Sequence, residues 1–190
     1  MKARIGAGFI AILASVSAPG QDRQLFHCAT EDSTRGWAVP AEKLANALMA
    51  SGDQDDRVAV EEAIRDNDLA RNHRQFLRSK PIVLSVVGPR AYFVRPSSEP
   101  HHVPFYGAHT FRFWVVGADQ HVLLSSAGDQ FAVLSSSHES MHDVMVSQCR
   151  AGVCYDTTLI FSNGGYHDGS CATRSLADRQ TVPGCHLRDG

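Results

Sequence analysis

The chain predicts an α+β domain, with short helices toward the N-terminus followed by an antiparallel β-sheet built from hairpins. Three observations predict it. Apolar residues recur at helical spacing around residues 41–50. The period changes to two after Lys80-Pro81, and the second half then breaks into short β-branched runs separated by turn residues. Helices first and strands second is the α+β order.

The first twenty residues read as a secretory leader. Lys2 and Arg4 supply the positive start, residues 6–16 a short apolar run, and Ala18-Pro19-Gly20 a region for cleavage. The apolar run is too short to span a bilayer, and no other segment reaches that length. Residues 21–190 then read as one α+β domain of about 170 residues, enough for a single core. Its helical part is expected at about 41–79, its sheet part at about 80–171, and a loop-rich tail after that.

Within the helical part, Leu44, Ala45 and Leu48 share an apolar stripe that Ser51-Gly52 would end. Asp53, Asp55 and Asp56 sit where a helix N-terminus favours negative charge. Val60, Ala63 and Ile64 open a second helical pattern toward Phe76 and Leu77. Strands are expected at residues 82–87, 91–94, 111–116, 122–125, 131–135, 144–147 and 155–161. Gly88-Pro89, Asp119-Gln120 and Ala127-Gly128-Asp129 divide them, and Asn163-Gly164 is a strong hairpin signal leading to Tyr166.

The formal charge is −2, and losing Lys2 and Arg4 with the leader lowers it by two, to −4. No basic patch interleaves with aromatics, so nucleic acid is excluded as a partner class. With no membrane span after leader removal, the chain is expected to be periplasmic or secreted, in a bacterium. Five cysteines in such a chain read as disulfides with one thiol left over. Cys149 and Cys154 enclose a turn at residues 150–153 and are expected to pair. Cys171 and Cys185 flank the tail and form the second expected pair, although Cys28 could replace either.

His138-Glu139-Ser140-Met141-His142 spells H-E-x-x-H. On a helix, His138 and His142 would share a face and chelate zinc, with Glu139 as the base that activates a bound water. The flanks oppose that helix. Residues 131–134 are strand-like, the serines at 135–137 make a poor helix interior, and Val144-Met145-Val146 returns to strand composition. No third ligand has a diagnostic context among Asp156, His167 and Asp168. The expected conformation is therefore a turn between two strands. His101, His102 and His109 could form a surface metal site, but read more simply as loop imidazoles. Tyr106 and His109, in a loop feeding the strand of Phe111, Phe113 and Trp114, are candidates for a recognition surface.

A wider arrangement runs through this half of the chain. It comprises Val122-Leu123-Leu124, Val133-Leu134-Ser135, His138-x-x-Met141-x-Asp143-Val144, Phe161-Ser162-Asn163-Gly164-Gly165-Tyr166 and Cys171. Together they resemble small exported bacterial proteins with a His-x-Gly-Met-x-Asp-Ile loop and a Phe-Asp-Gly-x-x-Tyr hairpin. Ser140 stands where glycine is usual there, and Asn163 where aspartate is. Some similar periplasmic proteins resemble inhibitors of cell-wall hydrolases or immunity proteins against type VI secretion amidases. The resemblance, over residues 80–171, implies a binder and assigns no catalytic residue.

The expectation is thus a periplasmic protein-binding module, an immunity or inhibitor protein that blocks a peptidoglycan-degrading amidase or muramidase. Its expected binding residues are Tyr106, His109, His138, Glu139 and His142. The balance leans away from an enzyme. No cofactor or metal is expected, the alternative being a zinc hydrolase on His138, Glu139 and His142.

Overall fold

A computed structural model describes residues 24–28, 36–50, 77–85, 87–88, 90–97 and 110–185. Backbone alone is described at Tyr106, Gly107 and Thr110, and isolated positions between 54 and 65 are helical. The leader expected at residues 1–20 and most of the second helical pattern lie outside the described residues.

Eleven strands are described, in two antiparallel sheets. The first sheet joins β1 (Gln24–His27), β7 (Gln130–His138), β8 (Met141–Arg150), β9 (Val153–Ser162), β10 (Gly165–Ser175) and β11 (Thr181–Pro183), in that spatial order. The second runs β2 (Leu77–Ile82), β3 (Ala91–Pro96), β5 (Thr110–Val116), β4 (Tyr106–Gly107), with β6 (Val122–Gly128) also pairing β5. The only helix with described bounds is α1 (Glu42–Met49). The α+β expectation is therefore overturned: the described chain is nearly all β. Strand appears where none was expected: in β1, at the start of β2 inside the expected helical part, in β4 and in β11. Gln24–His27 buries only Phe26, and Thr181–Pro183 is exposed throughout, so neither carries the alternation that marks a strand in sequence. Within its described residues, the tail expected as loop holds the end of β10 and all of β11, joined by a turn.

The two sheets pack face to face on an aromatic core. Phe93 of β3 lies 5.0 Å from Phe26, 5.1 Å from Phe131 and 5.2 Å from Phe113, ring centre to ring centre. Ile82, Leu84, Val115, Val133, Val144 and Leu159 complete this layer. The other face of the second sheet is covered by α1. Its buried stripe is Leu44, Ala45 and Leu48, as the spacing predicts, and it packs on Leu77, Val94, Trp114 and Val116. The order of layers is helix, sheet, sheet, which leaves the outer face of the first sheet without a covering element among the described residues.

Lys80-Pro81, expected as the boundary before the sheet, lies inside β2. Pro81 is tolerated because β2 is the edge strand of its sheet. The run expected as strand at 82–87 leaves β2 at Ile82, and Val83 and Val87 are exposed. The chain crosses between sheets at Gly128-Asp129. A Cβ at Gly128 would meet the Ser147 carbonyl oxygen and Val146 Cγ1 at 2.8 Å, so the corner admits no side chain there. Asp129 locks it, its N–H donating to Ser147 O at 2.8 Å and its carboxylate accepting from Cys149 N–H.

Both expected disulfides are present. Cys149 and Cys154 face each other on one rung beside the Ala151-Gly152 turn, with Cα atoms 4.0 Å apart. Cys171–Cys185 ties the chain after β11 to β10. Cys28 is the remaining thiol. It is fully buried, and burial pushes its pKa far above the usual thiol range, the Arg95 charge opposing only in part. No described helix is long and apolar enough to cross a membrane.

Phe93→Ala should cost about 3–5 kcal/mol in urea unfolding, whereas Val182→Ala at an exposed edge should stay within about 0.5 kcal/mol. The Cys28 thiol has a raised folded-state pKa, so the unfolded chain releases its proton first. Its contribution is therefore complete below about pH 8.5 and falls as pH rises beyond that. Urea titrations across this range should show the decline, and Cys28→Ala should flatten it.

Candidate functional site

The H-E-x-x-H stretch closes a hairpin. β7 ends at His138, β8 begins at Met141, and Glu139-Ser140 make the turn with φ of 48° and 65°. Two successive left-handed residues define a type I′ turn, whose twist suits the flanking strands. Asn163-Gly164 (φ 51° and 82°) and Ala151-Gly152 (φ 48° and 80°) close the next two hairpins of the same sheet in the same hand. Those turns place glycine second. At 139–140 neither residue is glycine, and each left-handed position costs about 1–2 kcal/mol.

This conformation decides between the two readings of the motif. His138 stands opposite Met141, and Ser137 opposite His142. Successive rungs face opposite sides of a sheet, so the two imidazoles diverge, where a helix would have stacked them. Glu139 sits in the turn. Among the described residues, no three His, Cys, Asp or Glu side chains gather where they could hold a metal ion. The helical premise of the zinc alternative is therefore corrected, because the strand partners of residues 131–134 and 144–147 force the chain to reverse between them.

The hairpin tip is stiff as well as exposed. Residues 135–140 are all solvent-exposed while still paired at their outer rungs. A bulge between Val133 and Ser137 gives β7 two residues more than β8 and re-aims the tip. His138 Nδ1 lies 2.6 Å from Asp143 Oδ1, with the Asp143 carboxylate buried and the imidazole half exposed. Beneath it, Tyr166 donates its hydroxyl hydrogen to His142 O at 2.7 Å, and His142 N–H donates to Leu84 O at 2.6 Å. Ser85 bridges Met141, so the root of the hairpin is held by the chain that follows β2. The Tyr166 hydroxyl titrates well above its ordinary range, chiefly through burial and secondarily through the Asp143 charge. His142 Nδ1 is buried without a hydrogen-bond partner among the described residues.

Of the expected binding residues, His138, Glu139 and His142 come together on this hairpin. Tyr106 is placed on β4 opposite Phe111, its side chain outside the description, and His109 lies outside the described residues. Phe113 belongs to the core, and Phe111 packs partly against it.

A second constellation escaped the sequence reading. On the outer face of the first sheet, Asp156 and Arg174 form a two-bond ion pair, Nε to Oδ2 at 2.7 Å and Nη2 to Oδ1 at 3.1 Å. They line a groove of about 530 Å³. The signal was the set of polar residues at alternate positions, Asp156 and Thr158 on β9 and Ser170 and Arg174 on β10. What hid it is the bulge between Asp168 and Ser170, which shifts the register by one and so brings Asp156 opposite Ala172.

No family model matches the chain, and neither a curated protein nor a solved structure matches it.

Ser140→Gly should raise the unfolding free energy by about 1 kcal/mol, since glycine adopts the left-handed conformation freely. Tyr166→Phe should lower it by about 1 kcal/mol through loss of the bond to His142. Urea unfolding of the two variants checks both signs.

Proposed function

We propose that the protein is a periplasmic binding module that inhibits a peptidoglycan-degrading amidase or muramidase, as an immunity or inhibitor protein. The observation that carries this reading is the stiff, exposed hairpin tip at His138-Glu139-Ser140. An inhibitor that plugs a cleft needs a projecting element whose shape is set before binding, because ordering a loop on contact subtracts from affinity. The buried anchors beneath this tip, Asp143 and Tyr166, give it that property. Left-handed geometry held by non-glycine residues also fits the pattern of strain retained at working surfaces. Two disulfides suit an oxidising compartment. A mildly acidic mature chain favours encounter with a basic hydrolase.

In this reading Glu139 and His138 contact the target, and His142 sets the backbone beneath them. The test is lysis of purified peptidoglycan by a panel of periplasmic amidases and muramidases, with and without the mature protein. Inhibition of one enzyme near stoichiometry is expected. Glu139→Lys should weaken it by tenfold or more, about 1.4 kcal/mol, at unchanged thermal stability. His138→Ala should weaken it as much while also lowering stability, since it takes the partner from buried Asp143. Full inhibition by both variants, or none by the wild type across the panel, would rule the reading out.

A further inference from the structure

We propose that the groove on the open face of the first sheet binds an uncharged sugar bearing an acetamido group. All six strands of the sheet contribute to it, and its volume of about 530 Å³ lies in the range of small-molecule sites.

The lining decides the ligand class. Its only charged side chains, Asp156 and Arg174, are closed on each other, so the groove is electrically balanced. A net charge entering it would be left without a partner in a partly desolvated place. The remaining polar groups are the Thr158, Ser170 and Thr181 hydroxyls and the Gln130 amide. Each can donate and accept, which matches a ligand that is itself both donor and acceptor at many positions. Arg174 uses Nε and Nη2 on Asp156, so Nη1 is available to a carbonyl or hydroxyl oxygen.

Apolar contact comes from Leu25, Met145 and Ala172 among these polar groups. Leu25 is 46% exposed, an apolar side chain that an occupant would cover. These three lie on β1, β8 and β10, so apolar contacts recur along the groove and suit the methyl groups and ring faces of successive sugar units. An acetamide joins such a methyl to one acceptor and one donor.

A separate observation lies on the same face. Ser147 is fully buried, and its hydroxyl has no hydrogen-bond partner among the described residues. The register puts it between Gln130 and Asp156, both of which line the groove. Buried hydroxyls without partners are uncommon. A ligand amide seated between Gln130 and Asp156 would lie over the position of this hydroxyl on the same face.

The site is independent of the hairpin, and its test separates the two. Amide chemical shifts of the mature, disulfide-bonded protein would be followed on titration with N,N′-diacetylchitobiose. Cellobiose and an N-acetylated neutral dipeptide serve as comparisons. Shifts centred on Thr158, Ser170 and Ala172 are expected, with cellobiose at least about tenfold weaker. Met145→Trp, which fills the groove, should abolish the shifts, and Thr158→Val should weaken binding about fivefold at unchanged melting temperature. Glu139→Lys should leave them as they are. Co-sedimentation with peptidoglycan or with chitin then identifies the polymer that supplies the sugar. No shifts up to about 10 mM, equal response to cellobiose, or stronger binding of the dipeptide would overturn the proposal.

Discussion

The contact of Phe26, Phe93, Phe113 and Phe131 between the two sheets is the interaction on which the rest of the structure depends. The four rings come from β1, β3, β5 and β7, so no single hairpin can form the cluster. It fixes which face of each sheet is inside, because a one-residue slip would turn every side chain of a strand over. With the inner faces committed, α1 takes the outer face of the second sheet through Leu44, Ala45 and Leu48. The outer face of the first sheet is what remains. Its residues mix polar groups with Leu25, Met145 and Ala172, and it is there that Asp156 and Arg174 pair.

The hairpin at residues 138–141 inherits its position from the same core. Val133 and Val144 are its last inward-facing pair before the bulge, and beyond them the strands leave the sandwich. Rigidity outside a core must come from polar contacts. Here it comes from His138 on buried Asp143, Tyr166 on the His142 carbonyl, and the Leu84 carbonyl on the His142 amide. The orphaned His142 Nδ1 and the two left-handed residues of the turn are costs set against those contacts. Their concentration within a few residues is what distinguishes this turn from the relaxed Asn163-Gly164 and Ala151-Gly152 turns of its neighbours.

Local chemistry was legible in the sequence. Asn163-Gly164 declared its turn, the Cys149 and Cys154 spacing its bridge, and Leu44, Ala45 and Leu48 their common stripe. The reversal at Glu139-Ser140 followed from strand-like flanks and the run of serines before it. What could not be read depends on partners far along the chain. β1 is a strand because Phe26 meets Phe131 across more than a hundred residues, and nothing within Gln24–His27 announces it. Arg95 reads as a surface residue, yet it is fully buried with its Nε donating to the Cys28 carbonyl at 2.8 Å. The groove stayed hidden for a related reason. Its residues are assembled by register, and a bulge at Gly169 sets that register.

The seat of Cys28 has a consequence for how the chain matures. Five thiols under oxidising conditions allow three connectivities for each choice of the odd one. Cys149 and Cys154 are brought together by a local turn, but Cys28 is withdrawn from exchange only once β1 has docked on β7. Tertiary closure therefore acts as the proofreader of the covalent pattern. Damage to the β1 seam would first be seen as scrambled, cross-linked chains during oxidative folding, before any loss of secondary structure.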